Sequence, residues 1–201
     1  MSNGPFLLTK RLILRPTSAE DFDGWAAFSA DAETMRFLGG PQCRAESWRS
    51  LCMMVGAWTI RGYAMFSLIR RDTGEWIGRI GPWYPEGWPD REVGWGVASE
   101  YAGQGYASEA ATATIDYAFD VLGWEKVTHI IDPDNTASIA LAERLGSVNQ
   151  GPTKMPAPFD THRVDALARA RPNGSPVELH SHKKTRSVAR PGQSSLLVAY
   201  N

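Results

Sequence analysis

Apolar and polar residues alternate along "RLILRP" (11–16), which predicts a half-buried strand. The period then lengthens. In "TSAEDFDGWAAFSAD", Phe22, Trp25, Ala26 and Phe28 share a helical face. Thr17 or Ser18 can cap that helix, and Glu20 and Asp21 suit its positive end. "GGPQ" (39–42) interrupts the chain, and a second helix is expected over 45–60 with Trp48, Leu51, Cys52, Val55 and Trp58 at helical spacing. Next come "YAMFSLIRR", the turn "DTG" and "EWIGRIGPW", a hairpin pattern. The loop "YPEGWPD" leads to a further strand, "REVGWGVA". Residues 107–122 form a helix with Ala107, Ala111, Ile115, Ala118 and Leu122 on one face and Gly123 as its stop. "KVTHIID" reads as a buried strand. "NTASIALAERLG" reads as a short helix from Asn135 to the stop at Gly146, and "FDTHRVDALA" as a last strand. Strands and helices mix without strict alternation, so the fold class is α/β (α+β) with a mixed sheet and helices on both faces.

Composition adds limits to this picture. The 201 residues are 43% hydrophobic with eight Trp, enough for one full core. One domain over 1–170 is expected, followed by a poorly ordered tail at 171–201, rich in Ser, Pro, Lys, Arg and His. The tail carries five basic residues against one acid; with a net charge of −1 for the chain, the body carries −5. An acidic body speaks against nucleic acid as a partner and suits a cationic amine. No apolar run reaches membrane-spanning length, and "MSNGPFLLTKRL" lacks an apolar leader core, so a cytoplasmic chain without membrane contact is expected. Cys43 and Cys52 read as free thiols, and no metal-ligand spacing occurs.

"EYAGQGYASEA" (100–110) is the stretch most suggestive of chemistry. Gly103 and Gly105 permit backbone angles that point successive N–H groups into one concavity, and a helix begins just beyond. Such a nest holds a pyrophosphate without a charged side chain. An ordinary strand-to-helix turn is the alternative. Neither GxxxxGK[ST] nor GxGxxG is present: position 108 is Ser.

"TKRLILRP", "GEWIGRIG", "REVGWGVASEYAGQGYASEAA" and "DPDNTASIALAERLG" together resemble, in order and spacing, the GCN5-related N-acetyltransferases (GNAT), most closely the RimJ/RimL-type branch, over residues 9–168. The resemblance implies a mostly antiparallel sheet whose fourth and fifth strands splay to admit acetyl-CoA. It implies direct acetyl transfer to an amine acceptor, by a monomer or homodimer without a metal. The family's pyrophosphate signature maps onto 100–105. It assigns cofactor binding to the main chain of Tyr101, Ala102, Gly103, Gln104, Gly105, Tyr106 and Ala107. Glu100 departs from the Gln or Arg of the signature.

On the strand "REVGWGVA", Glu92, Gly94 and Gly96 face one way and Val93, Trp95 and Val97 the other. Small residues beside one carboxylate leave room for a ligand, and Glu92 is the candidate base; a salt-bridged structural Glu is the alternative. The resemblance implies that Gly96 or Val97 gives an N–H to the thioester oxygen. It places Asn135 beside the pantetheine arm, in addition to capping its helix. Many relatives carry a thiolate-protonating Tyr where Ala142 stands here; by likeness to RimL-type members, Ser138 is instead the hydrogen-bond donor to the leaving sulfur, with helix capping as its alternative. His129 reads as a satisfied core or groove histidine. Trp83, Tyr84 and Trp88 either line an amine pocket or pack. The acceptor is a protein N-terminal α-amine or a small-molecule amine. The α-amine is the easier to deprotonate, at a pKa of roughly 8 against roughly 10.4 for lysine. A non-catalytic acyl-CoA sensor on the same fold is the second reading, and Glu100, Ala142 and the "GS" at 146–147 favour it.

Overall fold

The structure, a computed structural model, describes residues 4–172 and, beyond them, the backbone of 186–188 and 196–199. The chain opens with strands β1 (Phe6–Leu8) and β2 (Leu12–Pro16), then helices α1 (Phe22–Ala30), α2 (Ala32–Met35) and α3 (Arg44–Arg61). Strands β3 (Phe66–Arg70), β4 (Trp76–Trp83) and β5 (Glu92–Val97) follow, then α4 (Tyr106–Asp120), β6 (Lys126–Ile131) and α5 (Thr136–Arg144). Strands β7 (Val148–Thr153), β8 (Val164–Ala170), β9 (Arg186–Val188) and β10 (Leu196–Ala199) complete it. They form one sheet in the order β7-β8-β6-β5-β4-β3-β2-β1-β10-β9. Only the β5–β6 pairing is parallel among these neighbours.

Helices cover both faces of the middle of the sheet. Neighbouring residues of β3 show this: the Phe66 ring meets Tyr117 of α4 at 5.4 Å, and Ser67, pointing to the other face, bonds to Asp21 just before α1. A strand covered on both sides has no polar face to keep, which is why β3 is buried along most of its length rather than at alternate residues. α1 is tied in place at its start. Asp21 pairs with Arg15 of β2 at 2.5 Å, and accepts from Ser67 of β3 at 2.8 Å and from the Ser18 N–H at 2.9 Å.

Two features of the hydrophobic pattern are corrected. In α3 the buried positions are Ser47, Leu51, Met54 and Trp58, while Trp48 and Cys52 are exposed. Ser47 can be buried because its hydroxyl donates back to the Cys43 carbonyl at 3.0 Å; Trp48 lies outside, edge-on to Phe22 at 5.0 Å. β1 precedes the first strand of the pattern, so the splayed fourth and fifth strands are β5 and β6 here. In the tail, β10 pairs with β1 and β9 with β10. The rest of the tail expected to be poorly ordered lies outside the described residues.

Candidate active site

The sheet forks at one rung. β4 and β5 pair over six residues, Gly78 to Trp83 against Val97 to Glu92. β5 and β6 pair only at Glu92 and Thr128. Beyond that rung the strands part, and side chains occupy the backbone groups a ladder would have used. His129 of β6 is bonded through Nδ1 to the Val93 carbonyl at 2.7 Å, and the Glu92 carboxylate accepts from the Ile130 N–H. Burial pulls the His129 pKa down to about 4. The ring is therefore neutral and its Nδ1–H is the donor. Its Nε2 is buried without a partner.

The alternation along β5 decides which N–H groups face the gap. The Ala98 N–H donates to Ile77 of the β4 side, and Gly96 points the same way. The Val93 carbonyl faces β6, and so do the backbone groups of Trp95 and Val97. Of Gly96 and Val97, then, the gap receives the N–H of Val97. The room expected beside Gly94 and Gly96 is largely taken by protein. A Cβ on Gly94 would stand 2.8 Å from Met65 Cε, and one on Gly96 2.8 Å from Phe28 Cζ. The glycines admit side chains from the opposite layer.

Glu92 is buried, and its Oε2 accepts from the Trp88 indole N–H at 2.7 Å. Burial dominates its ionisation and raises the pKa to about 7 against the pull of Trp88, Ile130 and Arg79. Arg79 forms no ion pair with Glu92 within 4 Å; its Nη1 approaches Met65 Sδ at 3.3 Å and its guanidinium lies 5.2 Å from the Trp25 ring centroid. On the other side of the fork, Asn135 caps α5 by accepting the Ser138 N–H at 3.1 Å. Ser138 Oγ accepts from the Trp95 indole N–H at 3.2 Å. An indole N–H can only donate, so the serine keeps its own proton for another acceptor. Ala142 is fully buried beside Ile131 and Leu167, with Trp95 packed on that cluster.

A cavity of about 90 Å³ lies at the fork, bordered by Glu92, Trp95, His129, Asn135 and Ser138. A larger chamber of about 520 Å³ lies beyond and shares Glu92, Arg79, Met65 and Leu38 as walls. Trp83 and Trp88 line that chamber; Tyr84 lies on a separate surface hollow with Tyr63 and Ile60.

The glycine loop lies at the start of α4. Gly103 and Gly105 have φ of +72° and +80°. The first helical bond joins the Glu109 N–H to the Gly105 carbonyl, so the N–H groups of Tyr106, Ala107 and Ser108 have no helical acceptor. Tyr101 and Ala102 differ from the sequence expectation. Their N–H groups donate to Ala98 and Ser99 within a short 3-10 turn, at 2.9 and 3.0 Å, leaving 103–108 as the donor set. The Gln104 side chain donates to the Glu100 carbonyl, and both residues are exposed. A brace that local pattern does not reveal holds the loop from behind. Arg11 pairs with Glu109 at 2.7 Å, donates to the Gln104 carbonyl at 2.9 Å, and lies over the Tyr106 ring at 4.3 Å.

Comparison with known proteins decides the family. Residues 11–148 match the family model described as an acetyltransferase (GNAT) domain. The chain belongs to the GNAT acetyltransferase family. An uncharacterised N-acetyltransferase, p20 of Bacillus licheniformis, is 31% identical over 72% of this chain and 83% of its own length. The crystal structure of an acetyltransferase from Agrobacterium tumefaciens superposes with a TM-score of 0.74 at 30% identity, covering 83% of this chain and 94% of that one. The fold is also that of the RimL ribosomal L7/L12 α-N-protein acetyltransferase solved with coenzyme A. That comparison has a TM-score of 0.66 at 18% identity, over 81% of this chain and 95% of that one. The GNAT sheet, mostly antiparallel with its splayed pair, is thus the fold expected from the sequence motifs.

Proposed function

We propose that this GNAT chain is an acetyl-CoA-dependent N-acetyltransferase that moves the acetyl group directly to a primary amine. One observation carries the reading: a carboxyl with a pKa near 7 stands where the cavity at the fork meets the larger chamber. An acid tuned to that range is suited to take a proton near neutrality. The N–H groups of 103–108 would hold the pyrophosphate, and the Val97 N–H would meet the thioester oxygen. Asn135 and Ser138 would flank the sulfur end.

The chemistry balances without an acyl-enzyme. An amine in the chamber attacks the thioester carbonyl carbon; the C–N bond forms and the C–S bond breaks. Glu92 takes the amine proton, directly or through water; Ser138 donates a hydrogen bond to the departing thiolate, and the proton held by Glu92 passes to solvent as CoA leaves. Trp88 and the Ile130 N–H fix the carboxylate, and burial keeps its basicity high. Backbone amides compensate for Glu100, whose exposed side chain is free to turn outward.

Calorimetric titration of acetyl-CoA, with desulfo-CoA and NAD as comparisons, tests binding; a thiol assay of CoA release with an amine panel tests transfer. Binding of acetyl-CoA but not NAD, with amine-dependent release, is expected. Binding without release for any amine would leave an acyl-CoA sensor, and absence of binding would remove both readings.

A further inference from the structure

We propose that the acceptor is a small primary amine carried on an apolar body of aromatic size, rather than the end of a polypeptide. The proposal rests on the acetyl-transfer reading and concerns the chamber beyond Glu92.

Its size comes first. At about 520 Å³ it falls in the range that encloses small molecules. Its walls come next. Trp25, Met54, Trp83, Trp88 and Phe159 bring indole, thioether and phenyl surface from segments far apart in the chain. The β7–β8 connection closes over it. Phe159 stands edge-on to Trp88 at 6.2 Å, and the His162 ring lies 5.8 Å from Phe159, with the His162 backbone N–H donating to the Phe159 carbonyl at 3.0 Å. Trp88 in turn meets Trp83 at 6.4 Å and donates to Glu92. The apolar wall and the base are therefore one connected structure.

Polar supply decides between the two acceptor classes. Each peptide unit drawn into a cavity brings an N–H and a carbonyl that need partners, and leaving one unpaired is costly. Few neutral polar side chains line the chamber, and two of them already bond to each other. Gln42 Oε1 accepts from Ser50 at 3.3 Å, and the Gln42 N–H donates to the Ser29 carbonyl at 2.8 Å. An amine on an apolar body asks for one polar contact, at its nitrogen, and Glu92 supplies it. Its remaining surface is matched by rings, which also attract an arriving ammonium through their faces.

The test measures CoA release with 2-phenylethylamine, ethylamine and a tetrapeptide with a free N-terminal alanine. The expected order in kcat/KM places phenylethylamine at least roughly tenfold above ethylamine and above the peptide. Phe159, which is 40% exposed, can be truncated without opening the core. Phe159→Ala should raise KM for phenylethylamine roughly tenfold and leave KM for ethylamine within about twofold. Peptide turnover equal to or better than that of phenylethylamine overturns this inference alone. So does a Phe159→Ala variant with unchanged KM for phenylethylamine. No release with any amine overturns the transfer reading itself, and this inference falls with it.

Discussion

At residues 103–108 the molecule offers main chain. The N–H groups of 106–108 have no helical acceptor, two glycines hold positive φ, and Arg11 and Glu109 brace the loop. The chamber beyond Glu92 is the reverse, walled by indole, phenyl and thioether groups from distant segments. Under the proposed function, the main-chain cradle would recognise what all acyl-CoA molecules share, a pyrophosphate, and the side-chain chamber what distinguishes one acceptor from another. The difference predicts how each region tolerates change. The cradle accepts new side chains except where a Cβ conflicts with positive φ, whereas the chamber alters its preference with almost any exchange.

Glu92→Gln should separate the two regions most sharply. Loss of the base is expected to lower kcat/KM by about 10²–10⁴-fold, while acetyl-CoA affinity by calorimetry stays within about twofold. Comparable loss of affinity would show that the regions are not independent. In the parent protein, kcat/KM should rise with pH through about 7 as the carboxyl ionises, and the variant should lose that limb. Stability follows the same group with a definite sign. The folded pKa is raised from 4.5 to about 7, so the folded state binds the proton more tightly than the unfolded one, and stability falls as pH rises across that window. Glu92→Gln escapes the penalty and should melt higher than the parent at pH 8, by up to ~3 kcal/mol in stability. An unchanged or lower melting point at that pH would contradict the raised pKa.

Ser138→Ala should lower kcat about tenfold with KM for acetyl-CoA unchanged. A thioester with a more acidic leaving thiol should recover much of the loss; equal loss with both thioesters would mean that Ser138 does not stabilise the departing sulfur. Gly105→Ala tests the cradle alone. Its φ of +80° costs a side chain roughly 1–2 kcal/mol, and Kd for acetyl-CoA should rise up to about tenfold with KM for the amine unchanged. Glu100→Gln is the smallest change. Removing an exposed acid near a polyanion should tighten acetyl-CoA binding about two- to threefold at low salt, and the gain should fade at high salt. No gain at low salt would show that Glu100 is already turned away.

The two regions also differ in how far the sequence reveals them. Gly103, Gly105 and the start of α4 are adjacent in the chain, and their backbone requirement is written into residue type. The brace is not: Arg11 lies 98 positions from Glu109, and no local pattern joins them. The fork is intermediate. Glu92 and Ser138 stand out by chemistry, but the Trp95–Ser138 contact spans 43 residues and is visible only once the strands part. The chamber is least legible, because aromatic residues in separate segments are equally good core residues until the fold assembles them. α3 shows a related failure. Trp48 outweighs Ser47 in any hydrophobic pattern, yet Ser47 satisfies its hydroxyl within the helix and is buried. β9 and β10, at three and four residues, are too short to announce a period and depend on β1 for their pairing.

The single rung between Glu92 and Thr128 has a consequence for the protein's lifetime in a cell. β6, β8 and β7 join the rest of the sheet through that one backbone pair and a few side-chain bonds, from His129 to Val93, from Ile130 to Glu92, and from Thr128 and Lys126 to Asp90. Were a thioester arm to sit in the gap as proposed, the ligand would serve as mortar between two halves of a wall. Anything that binds only the folded chain stabilises it in proportion to its supply, by about 2.7 kcal/mol at a hundredfold excess over Kd. The number of surviving copies would then follow the acetyl-CoA pool. In a starved cell the unliganded chain would be cleared first, with no change in its synthesis.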